Sequence, residues 1–183
     1  MNVIDTAIPE IKIIEPTVHG DSRGFFMESF NQARFDAALG RHVDFVQDNH
    51  SRSSRHVLRG LHYQIGAKVQ GKLVRVVHGR VFDVAVDLRR GSPTFRHWVG
   101  AELSGDNHRQ LWVECGFAHG FLVLSETADF LYKTTDFFSA EHERCLIWNE
   151  PTIGIDWPLG GATPLLSSKD AQGKSLPEAD LYP

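Results

Sequence analysis

Apolar positions along the chain come in short runs of about strand length, broken by Gly, Pro, Asn and Asp. Long stretches with the 3.6-residue period of an amphipathic helix are scarce, so the pattern predicts an all-β sandwich or barrel. Twelve strands are expected: 11–18, 24–30, 45–50, 57–63, 72–77, 80–88, 97–103, 110–114, 120–124, 130–134, 145–148 and 153–157. In RVFDVAVDL the two-residue period puts Phe82, Val84, Val86 and Leu88 on one side, expected to face the core. Val81, Asp83, Ala85 and Asp87 take the other, mixed side. His78-Gly79-Arg80 reads as a tight turn between this strand and KLVRVV. Only Gln32–Leu39 reads as a clear helix, capped by Asn31, ended by Gly40, and with Phe35 and Leu39 on one face. A second short helix is expected near Ser168, carrying Lys169–Gln172.

Composition narrows the classes without choosing among them. The 183 residues suit one domain, and 42% apolar with 23% charged residues is ordinary for a globular chain. The net charge of -4 is spread along the sequence, which argues against a nucleic-acid-binding surface. MNVIDTAIPEIKIIEP lacks the basic and apolar blocks of a secretory signal, and no run is long enough to span a membrane. Cys115 and Cys145 lie beside strand-like runs, where core packing in a reducing cytoplasm is the simplest expectation. No Gly-rich nucleotide loop of the dinucleotide or P-loop kind is present.

FVQDNHSRSSRHVLRGLHYQ, residues 45–64, is the stretch richest in chemistry. It sets Gln47, Asn49, Arg59, His62 and Gln64 in strand-like surroundings. Each would need a buried partner in a core, but the set suits the wall of a polar cavity. His62 can serve as a general base near neutral pH or as a satisfied interior histidine; spacing alone leaves both open. Tyr132 can give a proton to a carbanion or simply pack. Arg23, Arg59 and Lys72 can converge on a diphosphate or lie solvated. Asp170 can orient His62 or start a surface helix. His62 and His119 with nearby carboxylates offer metal-ligand types, but His62-Tyr63-Gln64 lacks the second imidazole of a His-x-His pair, so no metal is expected.

Seven segments together resemble the dTDP-4-dehydrorhamnose 3,5-epimerase family: DSRGFFMESF at 21–30, VQDNHSRSSRHVLRGLHYQ at 46–64, GKLVRVVHG at 71–79, VFDVAVDLRRGSPTF at 81–95, GFAHGFLVLS at 116–125, YKTTDFF at 132–138 and IGIDWP at 153–158. The resemblance runs from about residue 11 to 182, in order and with matching spacing. It implies a cupin-type jelly roll, or double-stranded β-helix, with a few short peripheral helices and a single domain over 1–183. It also implies a cytoplasmic homodimer with exchanged strands, acting without cofactor on a dTDP-linked 4-keto-6-deoxy sugar in dTDP-L-rhamnose synthesis. His62 would be the base, Asp170 its charge partner, Tyr132 the acid on the opposite face of the sugar, and Lys72 the stabiliser of the enolate. Arg59 and Arg23 would hold the diphosphate, Arg23 from the partner subunit. Glu28, Gln47, Asn49, His119, Glu143 and Lys169 would be further contacts, with Phe26 and Phe138 as aromatic neighbours.

Two departures stand out. Many relatives carry tyrosines where this chain has Phe137-Phe138, and a proline near Glu114-Cys115. The first keeps a C3-only epimerase in view as the rival reading. A non-catalytic sugar-nucleotide-binding cupin is disfavoured because His62 and Tyr132 are both retained.

Overall fold

A computed structural model describes residues 1–183. Thirteen strands are ordered as β1 (Asn2–Asp5), β2 (Lys12–Glu15), β3 (Val18–Asp21), β4 (Gly24–Met27), β5 (Gln47–Ser54), β6 (Leu58–Gln64), β7 (Lys72–His78), β8 (Arg80–Asp87), β9 (Trp98–Ser104), β10 (Gln110–Val113), β11 (Phe117–Val123), β12 (Thr127–Thr134) and β13 (Glu143–Cys145). Two short helices accompany them, α1 (Gln32–Leu39) and α2 (Ser168–Ala171). One sheet runs β1-β2-β10-β7-β12-β5 and the other β13-β6-β11-β8-β9, while β3 and β4 form a separate hairpin. All pairings within these sheets are antiparallel. This is the cupin-type jelly roll, closed by packing two sheets face to face.

Three apolar clusters hold it together. The first lies between the sheets, with Val74 and Val76 of β7, Leu111 of β10 and Phe130 of β12 meeting Val81, Ala85, Val99, Leu103 and Phe121. The second covers the outer face of the five-stranded sheet, where Leu58, Leu61, Val84, Val86, Leu88 and Leu122 pack under Ile153, Trp157 and Leu176. The third seats α1 on the outer face of the six-stranded sheet through Phe35, Val43, Leu73 and Trp112. Asn31 caps α1 by accepting from the Arg34 N–H, and Gly40 leaves it in the left-handed region at φ 70°.

β8 corrects the expectation for its two faces. Val84, Val86 and Leu88 do face a core, but the outer one. The mixed side is turned between the sheets, with Val81 and Ala85 in the inner core and Asp83 and Asp87 buried beside them. A strand covered on both faces cannot be oriented from alternation alone. The Gly79 turn is present at φ 76°, but it carries the chain from one sheet to the other rather than closing a paired hairpin. A side chain on Gly79 would put its Cβ 2.0 Å from the Thr127 carbonyl oxygen.

The expected strand at 153–157 is absent; this segment crosses the outer core without joining a ladder. Its alternating Ile153, Ile155 and Trp157 mark one buried face, which an extended segment shares with a strand. The expected run 11–18 divides into β2 and β3, and β1 pairs with β2 although no strand was expected there. The expected 145–148 strand lies earlier, as β13. Neither cysteine belongs to a core cluster; both are half-buried and unpaired. No helix is long and apolar enough to cross a membrane.

Candidate active site

A cavity of about 310 Å³ opens between the two sheets, lined by polar residues of both. From the six-stranded sheet come Asn49 and Ser51 of β5, Lys72 of β7 and Tyr132 of β12. Asn49 and Tyr132 are register partners, which places them on one face of adjacent strands. The five-stranded sheet supplies Arg59 and His62 of β6, His119 of β11 and Glu143 of β13. Phe138 and Lys169 complete the rim. His62 and Tyr132 therefore stand on opposite walls.

Regular alternation would put Arg59 and His62, three residues apart, on opposite faces of β6. They share the cavity because the β6–β11 register slips by one: His119 pairs with His62, but Phe121 pairs with Arg59. Gly60 and Leu61 thus oppose the single Gly120, as in a β-bulge. Gly60 sits at φ 122°, and a Cβ there would lie 2.6 Å from the Cα of Gly120. Only glycine fits this backbone approach.

Asp170 arrives on α2, whose Ser167 cap accepts from the Asp170 N–H. Oδ1 of Asp170 lies 2.6 Å from Nε2 of His62. The approach is oblique to the ring N–H, so the contact is short but poorly aligned, and it becomes an ion pair only when His62 takes up a proton. Ser167 Oγ donates to Asp170 Oδ2 at 2.6 Å, and the Gly60 N–H donates to Oδ1 at 3.2 Å. Burial favours the neutral acid, but His62, Ser167 and Gly60 together hold this carboxyl down at about 2. Burial pushes the His62 imidazole below its usual value, with Asp170 opposing. Near neutrality His62 is therefore a neutral imidazole beside a carboxylate.

Tyr132 is shifted the other way: burial, then the charge of Glu143, raises its phenol, so it stays protonated. Lys72 is buried and brought down to about 8, and its Nζ donates to the His62 carbonyl at 3.4 Å. It remains mostly cationic at neutral pH. Arg59 donates from Nε to Ser53 Oγ at 3.0 Å, and Lys169 pairs with Glu143 at 2.7 Å. Asn49 Nδ2 is buried with no partner, an orphan donor on the cavity wall.

Two other expected residues lie differently. Asp170 is behind His62 rather than on the wall, and Gln47 is one step back. Gln47 donates to Asn49 Oδ1 at 2.9 Å and accepts from the Phe138 N–H at 3.0 Å, bracing the rim. Gln64 does similar work, accepting from Ser139 N–H at 2.7 Å. Arg23, Phe26 and Glu28 are outside the cavity of their own chain, on or next to the β3–β4 hairpin. Arg23 is exposed and pairs with Asp21, Phe26 is 71% exposed, and Glu28 pairs with Arg34 at 3.1 Å.

Sequence reading missed Asp83, which receives Nε2 of His119 at 3.0 Å on both carboxylate oxygens. Burial raises the Asp83 carboxyl, with His119 opposing. The signal was an acid inside an otherwise apolar strand. Cys145 was also missed: it is the register partner of His62. One ring nitrogen of His62, Cys145 Sγ and an Asp170 oxygen lie within 4.8 Å of one another, the one donor cluster of metal-ligating type. His119, a metal-ligand candidate in the sequence, is committed to Asp83.

A jelly roll whose cavity sets a histidine–carboxylate pair on one wall and a protonated phenol on the other is a protein of the cupin class with the groups for acid–base chemistry on a small molecule. The family pattern described as dTDP-4-dehydrorhamnose 3,5-epimerase matches residues 5–178. A curated relative of that name from Pseudomonas aeruginosa is 63% identical over the whole of both chains. The crystal structure of dTDP-6-deoxy-D-glucose-3,5-epimerase from Legionella pneumophila, in complex with dTDP-4-keto-L-rhamnose, is 55% identical, with a TM-score of 0.95 over 99% of this chain and 97% of that one. A 3'-monoepimerase from Streptomyces bikiniensis, in complex with dTDP-quinovose, is 32% identical with a TM-score of 0.88 over 94% of this chain and 87% of that one. The chain belongs to the dTDP-4-dehydrorhamnose 3,5-epimerase family.

Proposed function

We propose that the protein epimerises dTDP-4-dehydro-6-deoxy-D-glucose at C3 and C5, giving dTDP-4-dehydro-L-rhamnose for dTDP-L-rhamnose synthesis. One observation carries the reading: His62 and Tyr132 face each other from opposite sheets, each in the protonation state its role needs. The C4 ketone acidifies the protons on C3 and C5. His62 removes one, and the charge moves to O4. Asp170 stabilises the imidazolium that forms, and the Lys72 ammonium meets the growing oxyanion. Tyr132 then protonates the carbon from the other side, which inverts it. The same cycle at the second carbon completes the reaction, and the ketone makes a redox cofactor unnecessary.

Arg59 is the cavity's cation for the diphosphate, with Lys169 at the rim. Asn49, His119 and Glu143 contact the sugar or nucleotide, and Phe138 offers a ring face to the base. Arg23, Phe26 and Glu28 reach the site of a second subunit through exchange of the β3–β4 hairpin in a homodimer. Supporting this, Phe25 and Phe26 are 60% and 71% exposed on that hairpin. Two unpaired cysteines fit a cytoplasmic enzyme.

The test is turnover in D₂O followed by NMR, with wild type, His62→Ala and Tyr132→Phe. Wild type is expected to place deuterium at both C3 and C5. His62→Ala should lose roughly 10²–10⁴-fold in rate. Tyr132→Phe should still exchange protons while inversion falls, since His62 can return a proton to the face it came from. Exchange at C3 alone in wild type would establish the C3-only reading, and no exchange would overturn the substrate.

A further inference from the structure

We infer that His62, Cys145 and Asp170 form an inhibitory site for thiophilic divalent cations such as zinc. The three donors come from three elements, β6, β13 and α2, yet converge within 4.8 Å. The pairing of β13 with β6 sets Cys145 directly beside His62 on the same face of the sheet. Their identities, imidazole nitrogen, thiol sulfur and carboxylate oxygen, are those that bind zinc. A tetrahedral ion with ordinary bond lengths separates neighbouring donors by roughly 3.3–3.7 Å. The His62–Asp170 contact of 2.6 Å would open slightly and the sulfur would close in.

Two further observations point to a ligand here. Nε2 of His62 is buried without an aligned hydrogen-bond partner. Asp170 is buried and pre-positioned by Ser167 and Gly60. Cys145 is only half-buried, which gives an ion a way in, and the fourth position is left to water. On binding, the metal–sulfur bond forms as the thiol proton passes to solvent. An ion on Nε2 leaves the neutral ring's one proton on Nδ1, the nitrogen turned away from Asp170 that would accept the substrate proton, so binding and turnover exclude each other. This is a site of inhibition, distinct from any cofactor role, and Cys145 has no part in the proposed catalysis.

The test uses the purified protein with cobalt and zinc salts. Cobalt should give a thiolate-to-metal charge-transfer band in the near ultraviolet. The band should be retained in Cys115→Ala and lost in Cys145→Ala and Cys145→Ser. Zinc should inhibit wild type reversibly, with chelator restoring activity. Losing one ligand should raise the half-inhibiting zinc concentration by about tenfold or more in both Cys145 variants, with metal-free activity kept. A band that survives in the Cys145 variants, or equal zinc sensitivity of variants and wild type, would overturn the site. The cobalt spectrum needs no substrate, so it stands whether or not the proposed reaction is correct.

Discussion

At the scale of single residues, the proposed base and oxyanion partner are an imidazole and an ammonium whose proton affinities have both been reduced by burial. In the free enzyme, kcat/KM should rise with pH as His62 loses its proton, with a midpoint below the ordinary histidine value because burial disfavours the imidazolium. It should fall again near pH 8 as Lys72 loses the charge that meets the oxyanion. Asp170 favours protonated His62, so Asp170→Asn removes that support. The acid limb should then move to still lower pH while kcat drops, as the new imidazolium loses its counter-charge. A pH–rate series on wild type and Asp170→Asn checks both signs. An acid limb that moves upward in Asp170→Asn would break the assignment of the pair.

Among the elements, β6 is where local geometry decides whether the site exists. The bulge at Gly60-Leu61 turns Arg59 and His62 to the same side, and Gly60 permits it by letting two backbones nearly touch. Gly60→Ala should cost roughly 2–4 kcal/mol, from positive φ and the clash with Gly120, and should weaken substrate binding through Arg59. Denaturant unfolding and KM measure the two effects; an unchanged unfolding midpoint would mean the approach is not a constraint. The bulge also marks where sequence reading stops. The polar density of residues 45–64 could be seen as a cavity wall, and α1 was legible from its cap, its apolar face and its terminal glycine. A one-residue slip in register leaves no periodic trace, nor does the choice of which face of β8 turns inward. The 153–157 segment shows the converse: alternation reported burial correctly and pairing wrongly, because a ladder needs a free neighbouring edge that the sequence does not show.

For the whole molecule, the β3–β4 hairpin is the part that its own chain leaves unfinished. It carries two exposed phenylalanines and an arginine whose only partner is the adjacent Asp21. In the proposed dimer these surfaces become the far wall of a neighbour's cavity. Sedimentation should show a dimer for the wild type, and a Phe25→Glu, Phe26→Glu double variant should dissociate and raise KM for the nucleotide sugar. A double variant that stays dimeric with unchanged KM would remove the hairpin from the site. The resemblance pointed to this exchange, whereas charge and hydropathy could not, since two exposed rings are unremarkable in a sequence with twelve phenylalanines.

Every side chain on the cavity wall precedes Asp170 in chain order. During translation the two sheets, the phenol, the lysine and the base are all made before the carboxylate that supports that base. A ribosome stalled within the segment after β13, or a protease that cuts there, would leave His62 without its carboxylate and the outer core of the five-stranded sheet without Ile153, Trp157 and Leu176. Full activity thus reports that synthesis has passed residue 170, and α2 acts as a check that the chain has been made that far.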